Sequence, residues 1–185
     1  METVEVHPPV PPDGIVDAQQ STSDFVECYL MHYRRVVRAL RLAGADAATA
    51  EDLAQEAFAR ALARWRRVRK GPNPPGYVYR TAFRLLQRSL LRSVREAAPA
   101  PDAVAPEAVA PGADSAAAAV DFEAALAGMP PRRRACAVMC MVTGMSVHEA
   151  GEALGIADGT VRKHLEDARR DIRGAWDSGL DQPAG

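Results

Sequence analysis

An all-α chain, built as two small helical domains joined by a flexible linker and with a helix-turn-helix as the second domain, is the fold class this sequence predicts. Three observations predict it. Ala, Leu and Arg, all good helix formers, are abundant, and β-branched runs are scarce. Apolar residues recur at spacings of three and four along two long stretches. Between those stretches, residues 96–115 are Ala, Pro and acids, with no large apolar residue except Val. The chain has 185 residues, enough for one domain of ordinary size or two small ones.

The elements follow in order. Residues 1–22 hold four Pro and little periodicity and are expected to be a disordered tail. Ser23 is a candidate N-cap for a first helix whose apolar stripe is Phe25, Val26, Tyr29, Leu30, Tyr33, Val36, Val37 and Leu40, with Gly44 at its stop. Asp46 can cap a second helix. Its stripe is Ala50, Leu53, Ala54, Ala57, Phe58, Ala61, Leu62 and Trp65, the clearest amphipathic pattern in the chain. Its acids come early and its bases late, which suits the helix dipole. Residues 70–76, rich in Pro and Gly, read as a loop. A third helix is expected over 77–95, with Val78, Ala82, Leu85 and Ser89 inward. Arg80, Arg84, Arg88, Arg92 and Arg95 form a basic stripe along it.

The first domain is thus expected over 23–95, a linker over 96–119 and a second domain over 120–176, before a short tail at 177–185. The linker composition cannot bury enough surface to offset its ordering entropy, and amides over 96–115 are expected to exchange freely. The 26 residues 96–121 would reach about 85–90 Å fully extended, so the two domains can touch well-separated sites. In the second domain, a short helix over 122–129 precedes one that starts at Pro130-Pro131 and stops at Gly144. Ser146-Val-His-Glu149 is a capping box, and the helix it opens ends at Leu154-Gly155. A last helix starts at Asp158 with Val161, Leu165, Ala168 and Ile172 on its inner face. Two short helices around a Gly-containing turn make a helix-turn-helix unit.

Net charge is −1, which hides a strong asymmetry. Residues 24–95 carry fifteen bases and six acids, while 1–23 carry four acids and 96–121 five acids, each without a base. A basic domain between acidic segments points to a polyanionic partner. The acidic, Pro-rich start has no signal-peptide pattern, and no apolar run approaches the roughly 18 residues of a membrane span, so a cytoplasmic protein is expected. Three Cys do not suggest a disulfide scaffold. Cys136, Cys140 and His148 are conceivable zinc ligands, but the packing reading is favoured. The two Cys sit among Ala, Val and Met on an apolar helix, and no fourth ligand is evident. No metal and no cofactor is expected. The chain has no Gly-rich phosphate loop and no nucleophile motif, so an enzyme is the least favoured class.

Several motifs resemble, in order, those of the extracytoplasmic-function group of sigma-70 family factors. Ala50-Glu-Asp-Leu-Ala-Gln-Glu-Ala-Phe58 is similar to the signature of the family's first conserved domain. Gly76-Tyr-Val-Tyr-Arg-Thr-Ala-Phe83 resembles the helix that contacts the downstream (−10) promoter element. Leu126-Ala-Gly-Met-Pro-Pro-Arg-Arg-Arg134 and Met145-Ser-Val-His-Glu-Ala-Gly-Glu-Ala-Leu-Gly-Ile156 resemble the second conserved domain, and Gly159-Thr-Val-Arg-Lys-His-Leu165 its recognition helix. Two departures stand out. Phe83, Arg84 and Arg88 occupy positions where the family usually has an Arg-Asn pair and an Asp. Glu166 and Asp167 stand where it tends to carry neutral or basic residues.

The resemblance implies a polymerase subunit that directs promoter-specific initiation, including melting. Its partners would be core RNA polymerase, promoter DNA and, in some members, an anti-sigma factor. Asp52, Gln55, Glu56 and Ala59 would dock on polymerase. By spacing alone that face is equally a solvated surface with a Glu56–Arg60 pair. Tyr77, Tyr79, Arg80, Arg84 and Arg88 would hold the melted downstream strand, Arg neutralising phosphates and Tyr stacking on bases. For Tyr79, packing on the second helix is the competing reading. Thr160, Arg162, Lys163 and Glu166, near the start of the last helix, would face the upstream (−35) element. A helix-turn-helix regulator that acts without polymerase is the alternative, though it leaves the first domain unexplained.

Overall fold

The computed structural model describes residues 13–96 and 116–180, and these are largely helical with no strand among them. The first half holds α1 (Asp13–Leu42), α2 (Ala47–Ala63), the single turn α3 (Trp65–Val68) and α4 (Pro74–Glu96). The second holds α5 (Ala116–Ala127), α6 (Pro131–Ala137), a π-helical turn (Val138–Val142), α7 (Val147–Leu154) and α8 (Asp158–Leu180). The first twelve residues of the expected tail and most of the expected linker, 97–115, lie outside the described residues.

The local signals explain most of the boundaries. Asp46 caps α2, its carboxylate accepting from the Thr49 backbone N–H at 2.9 Å. Ser146 and Glu149 form the capping box of α7 in both directions. Gly155 ends α7 in the left-handed conformation, φ 64°, which favours glycine. Gly151 is needed for closeness instead: a Cβ there would lie 2.9 Å from the Ile156 carbonyl, so the turn can fold tightly back onto α7.

Other boundaries correct the sequence reading. Helix α1 begins at Asp13, ten residues before the expected cap at Ser23. After Pro12 nothing in the sequence breaks a helix, and the Gln20 amide donates to Asp24 one turn on. The expected loop over 70–76 is shorter, because Pro74 and Pro75 open α4 rather than precede it. Asn73 caps them, accepting from the Gly76 N–H at 2.9 Å. Proline suits the first turn, where its missing N–H has no helical partner. The Ala run at 116–119, placed in the linker, forms the start of α5.

In the first half, α1, α2 and α4 pack together around Val36, Leu40, Ala54, Ala57, Phe58, Val78, Ala82 and Phe83. Small Ala side chains on α2 allow the close approach, and one aromatic cluster seals its end. Phe58 meets Tyr29 edge-on at 5.0 Å, and Phe25 meets Trp65 at 5.2 Å. The apolar stripes are narrower than the sequence suggests. Val26 and Leu30 of α1 and Leu62 of α2 are exposed, since the neighbouring helices cover only one side of each. In the second half, α8 lies against α5, α6 and α7, burying Leu126, Cys136, Val138, Met139, Val161, Leu165 and Ile172. The two halves touch. Contacts join α4 to α7 and α1 to the π-turn and α5, so the buried residues form one continuous cluster.

Candidate nucleic-acid and polymerase interface

Helix α4 presents two faces of opposite character. Val78, Ala82 and Leu86 point into the first half, and Phe83 joins them at 1% exposure. The opposite side carries Arg84, Arg88 and Arg92, all exposed, with Arg80 partly covered. Tyr77 is half-buried, and its hydroxyl accepts from Arg64 at 3.4 Å. Tyr79 lies on the packed side of α4. It is buried against the edge of His32, 6.3 Å between ring centres, and burial raises its phenol pKa. Packing is what the structure shows for this ring, against α1, because residue 79 falls one position from Val78 and turns toward that helix.

The arginines of α4 are not all free. The Arg80 guanidinium sits 3.2 Å from a Glu152 carboxylate oxygen and 3.9 Å from one of Glu149. Arg84 donates to the Glu152 backbone carbonyl at 3.3 Å, and Gln87 donates to that of Leu154. Both carbonyls belong to the last turn of α7, where no intrahelical donor remains and the dipole is negative. The Ser146 backbone N–H and hydroxyl hold the Glu149 carboxyl below the usual carboxylate range, with Arg80 adding a smaller pull.

The exposed face of α2 carries Asp52, Gln55, Glu56 and Ala59, with Leu62 continuing it. Glu56 pairs with Arg60 at 2.7 Å, as the i,i+4 spacing predicts. At the start of α8, Thr160, Arg162, Lys163 and Glu166 are all exposed, while Val161 and Leu165 anchor the helix from beneath. Arg162 and Lys163 make no ion pair among the described residues. Asp167 does not face outward as a free charge. It pairs with Arg133 of α6 at 3.6 Å and with Arg170 at 3.2 Å, while Asp171 takes Arg133 at 2.7 Å. One of the two unusual acids of this helix therefore ties α8 to α6.

The sigma-70 region 2 family matches residues 28–96, and the sigma-70 region 4 family matches 119–172. The chain belongs to the sigma-70 family, in its extracytoplasmic-function group. An extracytoplasmic-function RNA polymerase sigma factor of Mycolicibacterium smegmatis, SigE, is 34% identical over 166 residues, covering 84% of this chain. The chain spans 62% of that relative's length. Among solved structures, the sigma factor RpoE of Bartonella quintana, determined with the anti-sigma factor NepR, matches with a TM-score of 0.65 at 20% identity. That match covers 86% of this chain and 99% of the other. CnrH, determined with the cytosolic domain of CnrY, matches at 0.54 and 18% identity over 92% of this chain and 99% of its own. At these identities the two structures show the shared fold.

The region 2 match runs from the middle of α1 through α4, and the region 4 match from within α5 into α8. No helix among the described residues is long and apolar enough to cross a membrane. Among them, no group of His, Cys, Asp and Glu is arranged to hold a metal. Cys136 is fully buried, with its thiol pushed up to about 12 mainly by that burial. Sequence reading missed Gln87, Arg134, Glu149 and Glu152 as contact residues. Their partners across the two halves lie 67 to 93 positions away, beyond the reach of local periodicity.

Proposed function

We propose that this chain is an RNA polymerase subunit that brings core polymerase to specific promoters and helps melt them. The observation that carries the reading is that regions 2 and 4 occur in order in one chain, each with an exposed basic helix. Polymerase docks on the α2 face of Asp52, Gln55, Glu56 and Ala59. Helix α4 meets the downstream element through Arg80, Arg84 and Arg88, with Tyr77 beside them. Tyr79 packs against His32 of α1 rather than stacking on a base. The first turns of α8 meet the upstream element through Thr160, Arg162, Lys163 and Glu166. An anti-sigma factor is a third partner in this reading; the Bartonella protein was solved with one bound. The protein works on the cytoplasmic side, where polymerase and promoters are, and has no catalytic centre of its own.

The test is run-off transcription with purified core polymerase. Transcripts from a defined start that require the chain support the reading. Specific DNA binding without polymerase and without transcripts would favour a helix-turn-helix regulator instead. A second measurement addresses the docking face. The double variant Asp52→Ala with Gln55→Ala should co-purify with core polymerase about tenfold less, with its helical content unchanged, since both side chains are exposed. Undiminished co-purification would place docking elsewhere.

A further inference from the structure

We propose that the crevice between the two halves binds a nucleoside diphosphate, a small polyanion joined to a flat ring. The inference goes beyond the polymerase-subunit reading and does not rest on it. The crevice has a volume of about 590 Å³. That falls within the range of about 300–1,000 Å³ typical of small-molecule sites, which favour the joins between domains. Helix α1 lines it with His32, Arg35 and Arg38, at i, i+3 and i+6 along one side. Among the described residues no Asp or Glu lines it. Its fixed charges are therefore all positive, and a concave site of one sign concentrates the opposite ion.

The donors on this wall are open to a ligand. Arg35 is exposed and makes no ion pair among the described residues. Arg38 is mostly exposed and meets Glu123 loosely, at 3.5 Å. Like charges this close on one helix side repel each other. A diphosphate between the two guanidiniums relieves that repulsion and accepts charge-assisted hydrogen bonds from both. The Nδ1 of His32 is covered without a hydrogen-bond partner, and its Nε2 is not so covered. Burial first, and Arg35 second, lower the pKa of this ring, which favours the neutral form. A proton on the covered Nδ1 would be a buried donor without an acceptor, so the proton is assigned to Nε2, a third donor for the ligand.

The rest of the lining suits a ring. Tyr79 contributes from α4, and Phe122 and Val142 from the second half. Burial raises the Tyr79 pKa and keeps its hydroxyl protonated, and that hydroxyl makes no hydrogen bond among the described residues. Aromatic side chains hold bases by stacking, whichever base is offered. An inorganic anion would leave this apolar wall unused, and an uncharged nucleoside would leave the arginines unused. A nucleoside diphosphate uses both.

The test is calorimetric titration of the full chain with ADP, GDP, pyrophosphate and adenosine at about 0.15 M salt, where distant surface charges are screened. Both diphosphates should bind at micromolar concentration, and pyrophosphate and adenosine each at least about tenfold more weakly. Arg35→Glu should weaken ADP by at least about tenfold, the loss of a charged hydrogen bond. Arg173→Glu makes the same charge change at an exposed position of α8 outside the crevice, and should leave binding unchanged. Val142→Trp fills the crevice from a half-exposed position without altering charge, and should abolish binding with helical content retained. In the unmodified chain, the His32 ring resonances should move when ADP is added. No heat and no His32 shift with either diphosphate would overturn the site. Equal weakening by Arg35→Glu and Arg173→Glu would show general charge attraction and overturn it too. Pyrophosphate binding as tightly as ADP would overturn the nucleotide assignment.

Discussion

Helices α4 and α8 are both long, amphipathic and basic on their outer side, yet the structure treats them differently. Helix α4 has its first arginine paired to two carboxylates and its second to a helix end of the other half. Helix α8 has Arg162 and Lys163 exposed near its start, and its Asp167 and Asp171 pair within the same half, with Arg133 and Arg170. The difference teaches that basic residues at helical spacing do not by themselves define an available surface. Availability depends on what the rest of the chain brings opposite them. On α4 the arginines nearest α7 are engaged, while Arg88 and Arg92 further along stay exposed.

The sharpest way to break the comparison is in the core of α4. Phe83 stands where relatives are expected to carry a DNA-facing residue, but here it is buried, so Phe83→Ala should cost about 3–5 kcal/mol of stability by urea unfolding. Arg84→Ala, its exposed neighbour, should cost far less, since surface changes generally stay within about 0.5 kcal/mol. Similar losses at both positions would mean that α4 is not oriented as described. Next in size are the reading residues. Arg162→Ala or Lys163→Ala should relax preference at one or two upstream base pairs, a good base pairing being worth about 1–3 kcal/mol of discrimination. Arg84→Ala and Arg88→Ala should instead weaken open complexes across sequences and lower the salt slope by about one for each phosphate left without its arginine. A randomised-promoter selection on all four variants separates the two patterns. Upstream preference left intact by both α8 variants would remove the contrast between the helices.

A smaller effect probes α7. Ser146→Ala removes the cap of α7, and loss of such a cap costs about 1 kcal/mol. Thermal unfolding should show that drop. The smallest effect is at Arg60. Its pair with Glu56 is solvent-exposed on both sides, so Arg60→Ala should change stability by at most about 0.5 kcal/mol, measured by urea unfolding.

Much of the fold was legible because its determinants are local. The cap at Asp46, the box at Ser146 and Glu149, and the glycine stop at Gly155 are short-range signals, and each forms as read. Boundaries were missed where local signals mislead. Pro74 and Pro75 resemble loop residues until Asn73 is recognised as a cap, and Ser23 resembles a cap although the helix runs through it. Leu30 and Leu62 belong to apolar stripes by spacing, but burial also needs a neighbour, and none covers them. At the candidate site, the outward positions on α2 and α8 followed from helical phase alone. The state of α4 did not, because Arg80 and Glu152 are 72 residues apart and only the tertiary arrangement brings them together.

That separation has a consequence during synthesis. The ribosome finishes α4 before any of α7 exists, and Arg84 precedes the residue whose carbonyl it meets by 68 positions. At roughly 5–20 residues per second, translating that stretch takes about 3 to 14 seconds. Each nascent molecule therefore makes the whole of α4 seconds before the carbonyl that Arg84 meets exists, and the contacts between the halves can form only late in synthesis.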